Sequence, residues 1–335
     1  MPKKSSGPSK SRKTNKKIKR KKRDSFVTNA VILASIAIII VAVSNISGMF
    51  SDGNKTTSNN SGASIPATNP SVQESYTDED RLCRFDFIDV GQGDSTLITT
   101  PNKDYILIDT GTASSRDELM KHLELSSVDE IDYLILTHPH SDHIGGAERV
   151  LAEYDVKCVI MPDVATTTAQ FDKLYEGLAL EKQSGCKIYS AKPGDKYETD
   201  GCTMKIVGPL EIDDGELNNC SVALTFTYGE YDALFTGDAE KSAEKLILSS
   251  GRDVDCELYK VAHHGSDTSS SKEFVEAITP EISVISCGKD NSYGHPNTEI
   301  LERLHSIGSE IYITAELGTV TVLTDGNGYS VSTVG

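Results

Sequence analysis

The sequence predicts an α+β fold for residues 81–335, arranged as a four-layer αββα sandwich, and three observations support this prediction. The two halves of the region share one plan, in which short apolar strands come first and amphipathic helices follow, without an internal repeat. A histidine-rich segment directly follows a buried strand, as expected of a site at one edge of a sheet. An uncharged apolar run and a polar stretch precede the region, and they predict one transmembrane helix and a flexible linker.

The chain is acidic, but its charge is distributed unevenly. Of its 335 residues, 33 are Lys or Arg and 50 are Asp or Glu, which gives a formal net charge of −17. Residues 1–23 hold twelve of the basic residues and no acidic one, so the remainder carries 21 basic against 50 acidic residues, a net charge of −29. Such a body repels a polyanion at long range unless metals or a local basic patch compensate. The composition therefore argues against tight nucleic-acid binding.

The first 50 residues predict a membrane anchor. Residues 1–25 form a basic tail, and residues 26–50 contain no charged side chain. The second run is long enough to cross a bilayer core, which needs about 20 apolar residues. A buried core helix is the alternative, but it would have to lie between a polybasic tail and a polar stretch. Because the basic residues flank the amino-terminal side, we expect a cytoplasmic tail, a single-pass anchor in the cell membrane and an extracytoplasmic body.

The segment after the anchor predicts a tether. Residues 51–80 are rich in Ser, Thr, Asn and Gly and would span roughly 30 Å as a flexible linker. Small residues before and at Ser44 offer a signal-peptidase site, and cleavage there would secrete the body. An uncleaved anchor is the prediction, and secretion is the alternative.

The seven cysteines include no Cys-x-x-Cys pair, so neither a zinc ribbon nor a redox motif is supported. Cys186 and Cys202 flank a predicted hairpin region and could form a disulfide if the body is exported. Buried thiols are the default interpretation, and the odd count leaves at least one cysteine unpaired.

Apolar runs and turn residues predict the elements of the body. Strands are expected at 85–90, 96–100, 105–109, 131–136, 156–161, 187–189, 203–207, 222–228, 232–236, 259–262, 282–286, 311–314, 319–324 and 329–333. Helices are expected at 115–125, 147–154, 166–183, 239–248, 272–278 and 297–304.

Four potential metal ligands follow the strand at 131–136. They are His138, His140, Asp142 and His143. Imidazole and carboxylate groups suit zinc, and also manganese or iron. In an extended loop the first two histidines can point to the same side, while the aspartate and the third histidine face a second ion. Polar surface residues are the alternative, but four potential ligands at one strand end favour a metal site.

The motifs around this segment occur in a recognisable order. They are Asp89-Val90-Gly91-Gln92-Gly93-Asp94-Ser95, Asp109-Thr110-Gly111, Asn218-Asn219-Cys220-Ser221, Phe235-Thr236-Gly237-Asp238, His263-His264-Gly265-Ser266 and Tyr293-Gly294-His295-Pro296. His-x-His-x-Asp-His after an apolar strand resembles the signature of the metallo-β-lactamase superfamily. With the flanking motifs, residues 82–333 resemble the hydrolase domain of ComEC-type competence (DNA-uptake) proteins and its free-standing relatives.

The resemblance implies a centre of two divalent ions, with zinc expected and manganese the alternative. The implied ligands are His138, His140 and His264 for the first ion, Asp142, His143 and His295 for the second, and Asp238 as the bridge. Many superfamily members carry another ligand histidine near 218–221. This chain has none there, and His264 resembles the ligand that replaces it.

Further residues are expected to support the ligands or to face the substrate. They are Asp94, Asp109, Asn219, Ser221 and Ser266. Asp109 resembles the family's buried aspartate that orients ligand histidines. Turn geometry, loop polarity and helix capping are the alternative roles for the others.

Strand alternation predicts that His263 and His264 point to opposite faces, so only His264 should reach the metals. His263 is then a support for the ligands, a proton donor or a packed histidine. With Asp142 and Asp238, it completes the expected catalytic set.

The resemblance implies a membrane-anchored, extracytoplasmic metal-dependent hydrolase of phosphodiesters, a phosphodiesterase or nuclease with DNA as the expected substrate. Two bound ions can polarise a substrate oxygen and lower the pKa of a water. One alternative is an esterase of small cell-surface phosphoesters such as phosphorylcholine, which the acidic body would tolerate better. Another is a catalytically inert binding module. The sequence leaves the oligomeric state open.

Overall fold

The computed structural model describes residues 81–199 and 201–334. The predicted tail, anchor and linker, residues 1–80, lie outside these ranges. Within them, no helix combines the length and the apolar character that crossing a membrane requires.

The described residues contain fifteen strands, most of them short and rich in β-branched or aromatic residues. In chain order they are β1 Cys83–Phe87, β2 Thr96–Thr99, β3 Tyr105–Ile108, β4 Glu130–Ile135, β5 Asp155–Met161, β6 Lys187–Ser190, β7 Lys196–Thr199, β8 Cys202–Gly208, β9 Ala223–Tyr228, β10 Tyr231–Phe235, β11 Leu258–Lys260, β12 Ile282–Ile285, β13 Glu310–Ile313, β14 Thr319–Thr324 and β15 Tyr329–Val334.

The same ranges contain eight α-helices and two 3-10 turns. The helices are α1 Arg116–Leu125, α2 Ser141–Ile144, α3 Ala147–Glu153, α4 Ala169–Ser184, α5 Lys241–Ser249, α6 Lys272–Ile278, α7 Thr298–Ser306 and α8 Thr314–Leu317. The 3-10 turns are Leu217–Cys220 and Ala262–Gly265.

The strands form two mixed sheets. The order of the first is β15-β14-β1-β2-β3-β4-β5-β6, and the order of the second is β13-β12-β11-β10-β9-β8-β7. In the first sheet β3 to β6 pair in parallel, and in the second β10 to β13 do so. Parallel neighbours need a crossover, and these crossovers contain most of the helices. The remaining pairs are antiparallel, including the β9–β10 hairpin.

An aromatic core joins the two sheets. Phe85 and Phe87 of β1 are fully buried against β9 and β10 of the other sheet. The ring centroids of Phe85 and Phe226 are 5.4 Å apart and nearly perpendicular, and those of Phe87 and Phe235 are 6.2 Å apart. Each such ring removes a large apolar area from water, so these contacts hold the sheets face to face.

The outer face of each sheet is covered by helices. Leu119, Val150 and Leu174 of α1, α3 and α4 belong to one buried cluster with residues of the first sheet. Ile247 and Phe274, together with Ile300, come from α5, α6 and α7 and pack with residues of the second sheet. The layers therefore run helix, sheet, sheet, helix, which confirms the predicted αββα sandwich.

Several elements differ from the sequence prediction, and the short helices α2 and α8 were not expected. The edge strand β7 was not expected, because Lys196–Thr199 has only one large apolar side chain, Tyr197, between two charged residues. The strand expected at 259–262 ends at Lys260, because the chain turns sharply into the 3-10 turn that follows. The helix expected at 166–183 begins only at Ala169, where the Thr168 hydroxyl accepts a hydrogen bond from the Phe171 amide.

The disulfide considered between Cys186 and Cys202 is not formed. All seven cysteines are free and buried. Cys186 lies in the cluster beneath α4, whereas Cys202 lies in the core between the sheets. The neighbour of Cys202 is Cys83, whose thiol donates a hydrogen bond to it, and burial raises the pKa of Cys83 well above its ordinary value.

Candidate metal centre

The candidate ligands lie on segments that follow the carboxyl ends of β4, β10, β11 and β12. In open sheets with parallel strands, ligand sites form at this edge because the chain leaves every strand there. The segment after β4 is the centre of the cluster. His138 is buried, and its Nε2 lies 2.9 Å from Nδ1 of the half-buried His140. The short helix α2 then starts, with His143 N donating to His140 O at 3.1 Å.

Asp109, at the end of β3, fixes the orientation of His143. Its Oδ2 lies 2.7 Å from His143 Nδ1, so the Nε2 atom of that ring points away from it. Asp109 is held in turn by Thr137, whose amide and hydroxyl donate to its carboxylate at 2.8 and 2.6 Å. The structure thus places this predicted support directly behind a predicted ligand.

Asp238 follows a glycine turn at the end of β10. Gly237 has φ of 53°, and a Cβ there would lie 2.8 Å from Thr137 Cβ, so both conformation and space require glycine. The Asp238 amide donates to the Ser221 hydroxyl at 3.1 Å, and the same hydroxyl lies 3.3 Å from His138 Nδ1. Ser221, expected to support the ligands or to face the substrate, contacts two candidate ligands.

Four imidazole nitrogens surround one oxygen of Asp238. The distances to its Oδ2 are 3.7 Å from His138 Nε2, 3.2 Å from His143 Nε2, 3.7 Å from His263 Nε2 and 3.8 Å from His264 Nε2. The carboxylate therefore lies where a bridging ligand would lie.

The 3-10 turn Ala262–Gly265 positions two histidines differently from the prediction. His263 and His264 have φ of 50° and 55°, so neither continues a strand and their side chains do not alternate between two faces. Both rings reach Asp238. The buried His264 places Nε2 3.2 Å from Asp142 Oδ2, while its Nδ1 lies 3.0 Å from Ser286 O.

This geometry changes the expected grouping of ligands. Asp142, His143 and His264 form one compact group, and His138, His143 and Asp238 form another. His264 therefore lies with the second ligand set, not with His138 and His140 as expected.

His263 is the more exposed histidine of the pair. Its Nδ1 lies 3.0 Å from the Thr268 hydroxyl and 3.7 Å from Glu240 Oε1. The Nε2 atom is on the side of Asp238 and the cleft. This position leaves one ring nitrogen available to the centre.

Lys260 is a buried cation that sequence reasoning missed. Its ammonium lies 2.9 Å from Asp94 Oδ2 and also donates to Val261 O at 3.0 Å. The other oxygen of Asp94 is 3.3 Å from His264 Nδ1. Asp94 thus connects a buried lysine to a candidate ligand. A single lysine in the otherwise apolar run 258–262 was the signal that could have revealed it.

His295 lies on the loop between β12 and α7, beside the other two late histidines. Its ring centroid is 5.8 Å from that of His263 and 6.3 Å from that of His264. The Asn291 side chain holds this loop, because its Oδ1 accepts from His295 N at 3.0 Å and its Nδ2 donates to His295 O at 2.6 Å.

Two further residues that were expected to support the ligands or to face the substrate have local partners. Asn219 Oδ1 accepts a hydrogen bond from the Glu240 amide at 3.1 Å, which fixes the end of the loop before α5. Ser266 Oγ accepts from the Thr268 amide at 3.3 Å and lies 3.1 Å from its hydroxyl. Both side chains shape loops around the centre.

Burial and neighbouring charges set the protonation of the cluster without metal. Burial opposes a charged His143, but Asp238 and Asp109 outweigh it and raise the pKa of His143 well above its ordinary value. Burial and then the adjacent His143 lower the pKa of His138 well below its ordinary value. Burial also opposes a charged His264, yet Asp238 and Asp94 raise its pKa to about 10.

Neighbouring protonated histidines shift the pKa of a carboxylate in the opposite direction. Burial favours a neutral Asp142, but the hydrogen bond from His264 and the charge of His143 lower its pKa to about 2. Without metal, protonated histidines thus compensate ionised carboxylates. A bound cation replaces these protons, so metal binding should release protons.

The donor set fits divalent metals. Asp238 Oδ1, His143 Nε2 and His295 Nδ1 are buried and make no hydrogen bond among the described residues. Buried polar atoms nearly always have a partner, so three such atoms in one cluster indicate a missing one. Imidazole nitrogens and carboxylate oxygens are ligands of zinc, manganese and iron alike.

The centre opens into a cleft of about 400 Å³. Its lining combines candidate ligands with residues from surrounding loops: Gln92, Pro139, His140, Ser141, Asp142, Thr168, Gln170, Asn218, Asp238, His263, His264, Tyr293 and His295. No lysine or arginine is present among the described residues of this lining. The arrangement can hold cations and coordinate an anionic group, but it offers no basic side chain to an extended polyanion.

Three curated proteins are similar to this chain. ComE operon protein 3 of Bacillus subtilis is 31% identical over 252 residues, 70% of this chain and 32% of that protein. Recombination protein 2 of Haemophilus influenzae is 30% identical, covering 71% of this chain and 28% of that protein. Competence protein ComA of Neisseria gonorrhoeae is 31% identical, covering 68% of this chain and 30% of that protein. The chain therefore spans about a third of the length of these relatives.

These relatives confirm the resemblance to ComEC-type proteins that the motifs predicted. The family model of the metallo-beta-lactamase superfamily matches residues 88–289, which include most of the candidate ligands. The chain belongs to the metallo-β-lactamase superfamily.

Proposed function

We propose that this chain is a hydrolase of phosphodiesters that works with two divalent metal ions. The observation that carries the proposal is the convergence of four histidine Nε2 atoms on Asp238 Oδ2, beside the second carboxylate Asp142. When bound, two such ions supply Lewis-acid polarisation of a substrate oxygen and charge neutralisation in the transition state.

The chain's own residues have distinct roles in this proposal. His138 and His140 would hold one ion, while Asp142, His143 and His264 would hold the other and His295 would complete the centre. Asp238 would bridge the two.

The supporting residues keep the centre rigid. Asp109 holds His143 by its Nδ1. Nδ1 of His264 lies 3.0 Å from Ser286 O, with Asp94 Oδ1 3.3 Å away, so each ring presents Nε2 to the centre. His263 Nε2 would donate a proton to the leaving oxygen, because its ring is the most accessible of the four around Asp238 and its Nδ1 is fixed by Thr268.

The similarity to proteins named for competence and recombination supports a nucleic-acid phosphodiester, with DNA as the proposed substrate. The cleft favours a second candidate as well, a small phosphoester such as phosphorylcholine. The described lining contains no lysine or arginine to bind a long polyanion. Comparing a dinucleotide with phosphorylcholine esters as substrates separates the two.

We also propose that residues 26–50 anchor the protein in the cell membrane, with the body outside, on the basis of the uncharged run and its basic flank. Zinc is the proposed metal, with manganese the alternative. Protease added to intact cells that lack a cell wall should remove the body of the protein. Protection of the body from the protease would contradict this topology.

The central experiment assays residues 81–335 on bis-p-nitrophenyl phosphate. We expect hydrolysis only when a divalent metal is supplied, and elemental analysis should find two metal equivalents. Asp238→Asn keeps the size but removes the anion between two dications, so it should lower the rate about 10³-fold or more.

Asp253→Asn, the same change at an exposed aspartate outside the cleft, is the matched control. Equal activity of wild type and Asp238→Asn, or activity after exhaustive chelation, rules the mechanism out. Turnover of nitrocefin alone would indicate a β-lactamase.

A further inference from the structure

An exposed aromatic ring lies at the mouth of the metal cleft. Tyr293 lines the cleft, and 70% of its surface is accessible to solvent. Its ring stacks on His295 with centroids 5.6 Å apart and planes inclined by 23°. The ring belongs to no core cluster of the described residues, so most of its surface is free beside candidate ligands.

The loop that carries Tyr293 is ordered by one side chain. Asn291 Oδ1 accepts hydrogen bonds from the amides of Tyr293 and His295, at 3.2 and 3.0 Å. Its Nδ2 donates to Gly288 O at 2.9 Å and to His295 O. The Gly288 amide in turn donates to Gln92 Oε1 at 3.0 Å, which ties the loop to the other wall of the cleft. The tyrosine is therefore preorganised, and stacking on it requires little ordering of the backbone.

The remaining rim of the cleft is polar but uncharged. Gln92, Gln170 and Asn218 contribute amides, and Thr168 contributes a hydroxyl. Because the described lining lacks lysine and arginine, the parts of a substrate beyond its reacting phosphate must be bound by stacking and neutral hydrogen bonds. Nucleobases offer both an aromatic face and polar edges, and stacking on aromatic side chains tolerates any base.

We propose that Tyr293 is a stacking platform for a nucleobase, which makes nucleoside phosphodiesters the preferred substrates of the centre. This inference rests on the proposed phosphodiesterase function and names its substrate class. A choline headgroup fits less well, because quaternary ammonium groups are bound in cages of several aromatic rings. Among the described lining residues, Tyr293 is the only Phe, Tyr or Trp.

The test compares two esters that share one leaving group, thymidine 5′-(p-nitrophenyl phosphate) and methyl p-nitrophenyl phosphate. The full-length, metal-loaded protein should favour the nucleoside ester, and Tyr293→Ala should reduce that preference in kcat/KM about ten-fold or more. Tyr293→Phe retains the ring and should keep the preference. Tyr175→Ala is the matched control, because Tyr175 on α4 is 67% exposed but does not line the cleft.

Binding provides a readout that does not depend on turnover. Calorimetry with thymidine 5′-monophosphate and methyl phosphate should show that Tyr293→Ala weakens binding of the nucleotide about ten-fold more than binding of methyl phosphate.

An equal effect of Tyr293→Ala on both esters, or equal preference in Tyr293→Ala and wild type, overturns the stacking inference while the phosphodiesterase function stands. A preference for a p-nitrophenyl phosphorylcholine ester that Tyr293→Ala abolishes would assign the ring to choline instead. If the wild type cleaves neither diester with any divalent metal, the proposed function itself fails.

Discussion

Lys260 and Asp94 form an ion pair whose side chains are only 4% and 6% exposed, directly behind the candidate ligand His264. Burial opposes ionisation of Asp94, but the charges of Lys260 and His264 outweigh it and lower its pKa below the ordinary carboxyl value. A carboxylate with a lowered pKa stabilises the fold at pH above the ordinary value. That contribution is lost as pH falls toward the lowered pKa.

Removal of the lysine alone should therefore be costly. We expect Lys260→Met to lower the free energy of unfolding of the metal-free protein by roughly 3–5 kcal/mol, because it leaves the buried Asp94 carboxylate without its main countercharge and with only His264 beside it. The double variant with Asp94→Asn removes both charges and should recover part of this loss. Urea denaturation at neutral pH measures both values. A double variant less stable than Lys260→Met would show that the pair is not the cause.

The residues of the centre could be predicted from the sequence where they follow the ends of recognisable strands. His138 and Asp238 come three residues after β4 and β10, Asp142 follows in the same segment as His138, and the carboxyl ends of parallel strands meet at one edge. The grouping of His264 was not predictable. It depends on two consecutive left-handed histidines, a conformation that no local pattern signals for non-glycine residues. Lys260 was missed because its partner is 166 residues away in sequence.

At the scale of elements, the loop between β12 and α7 connects the metal centre to the proposed base platform. Asn291 is its organising residue, since one amide side chain makes four hydrogen bonds to the loop backbone. Asn291→Asp would replace the two donated bonds by repulsion between a carboxylate and two carbonyl groups. We expect displacement of His295 and a loss of about ten-fold or more in affinity for one metal equivalent.

The same substitution six residues later is a matched control. Asn297 caps α7 by accepting the Glu299 amide at 2.9 Å, and aspartate caps a helix equally well. Asn297→Asp should therefore leave metal affinity unchanged. Calorimetric metal titration of both variants decides the matter, and equal affinity in Asn291→Asp and wild type would show that the loop does not need its asparagine.

At the scale of the molecule, the sequence was sufficient to predict the sandwich because both halves repeat strands followed by helices. Apolar runs such as 131–136 are long enough to identify a buried strand from pattern alone. The edge strand β7 could not be predicted, since Tyr197 is the only large apolar side chain that it offers to the core and backbone pairing with β8 holds it in the sheet. The arrangement of the sheets comes from contacts such as Phe85 with Phe226, which are distant in sequence.

The charge of the whole body decides how substrate length should matter. Residues 81–335 hold 20 Lys or Arg against 44 Asp or Glu, and the described cleft lining adds no basic side chain. A long strand is therefore repelled at low ionic strength, whereas a dinucleotide meets mainly the centre itself. Salt screens repulsion between charges farther apart than about 10 Å at 0.1 M.

For residues 81–335, kcat/KM on a long single strand should thus rise with added salt, while that on a dinucleotide should change little. Kinetics at several salt concentrations, with metal at saturation, measure both. A steep fall for the long strand would instead reveal phosphate contacts to a basic surface outside the cleft, as in proteins that bind nucleic acids by counterion release.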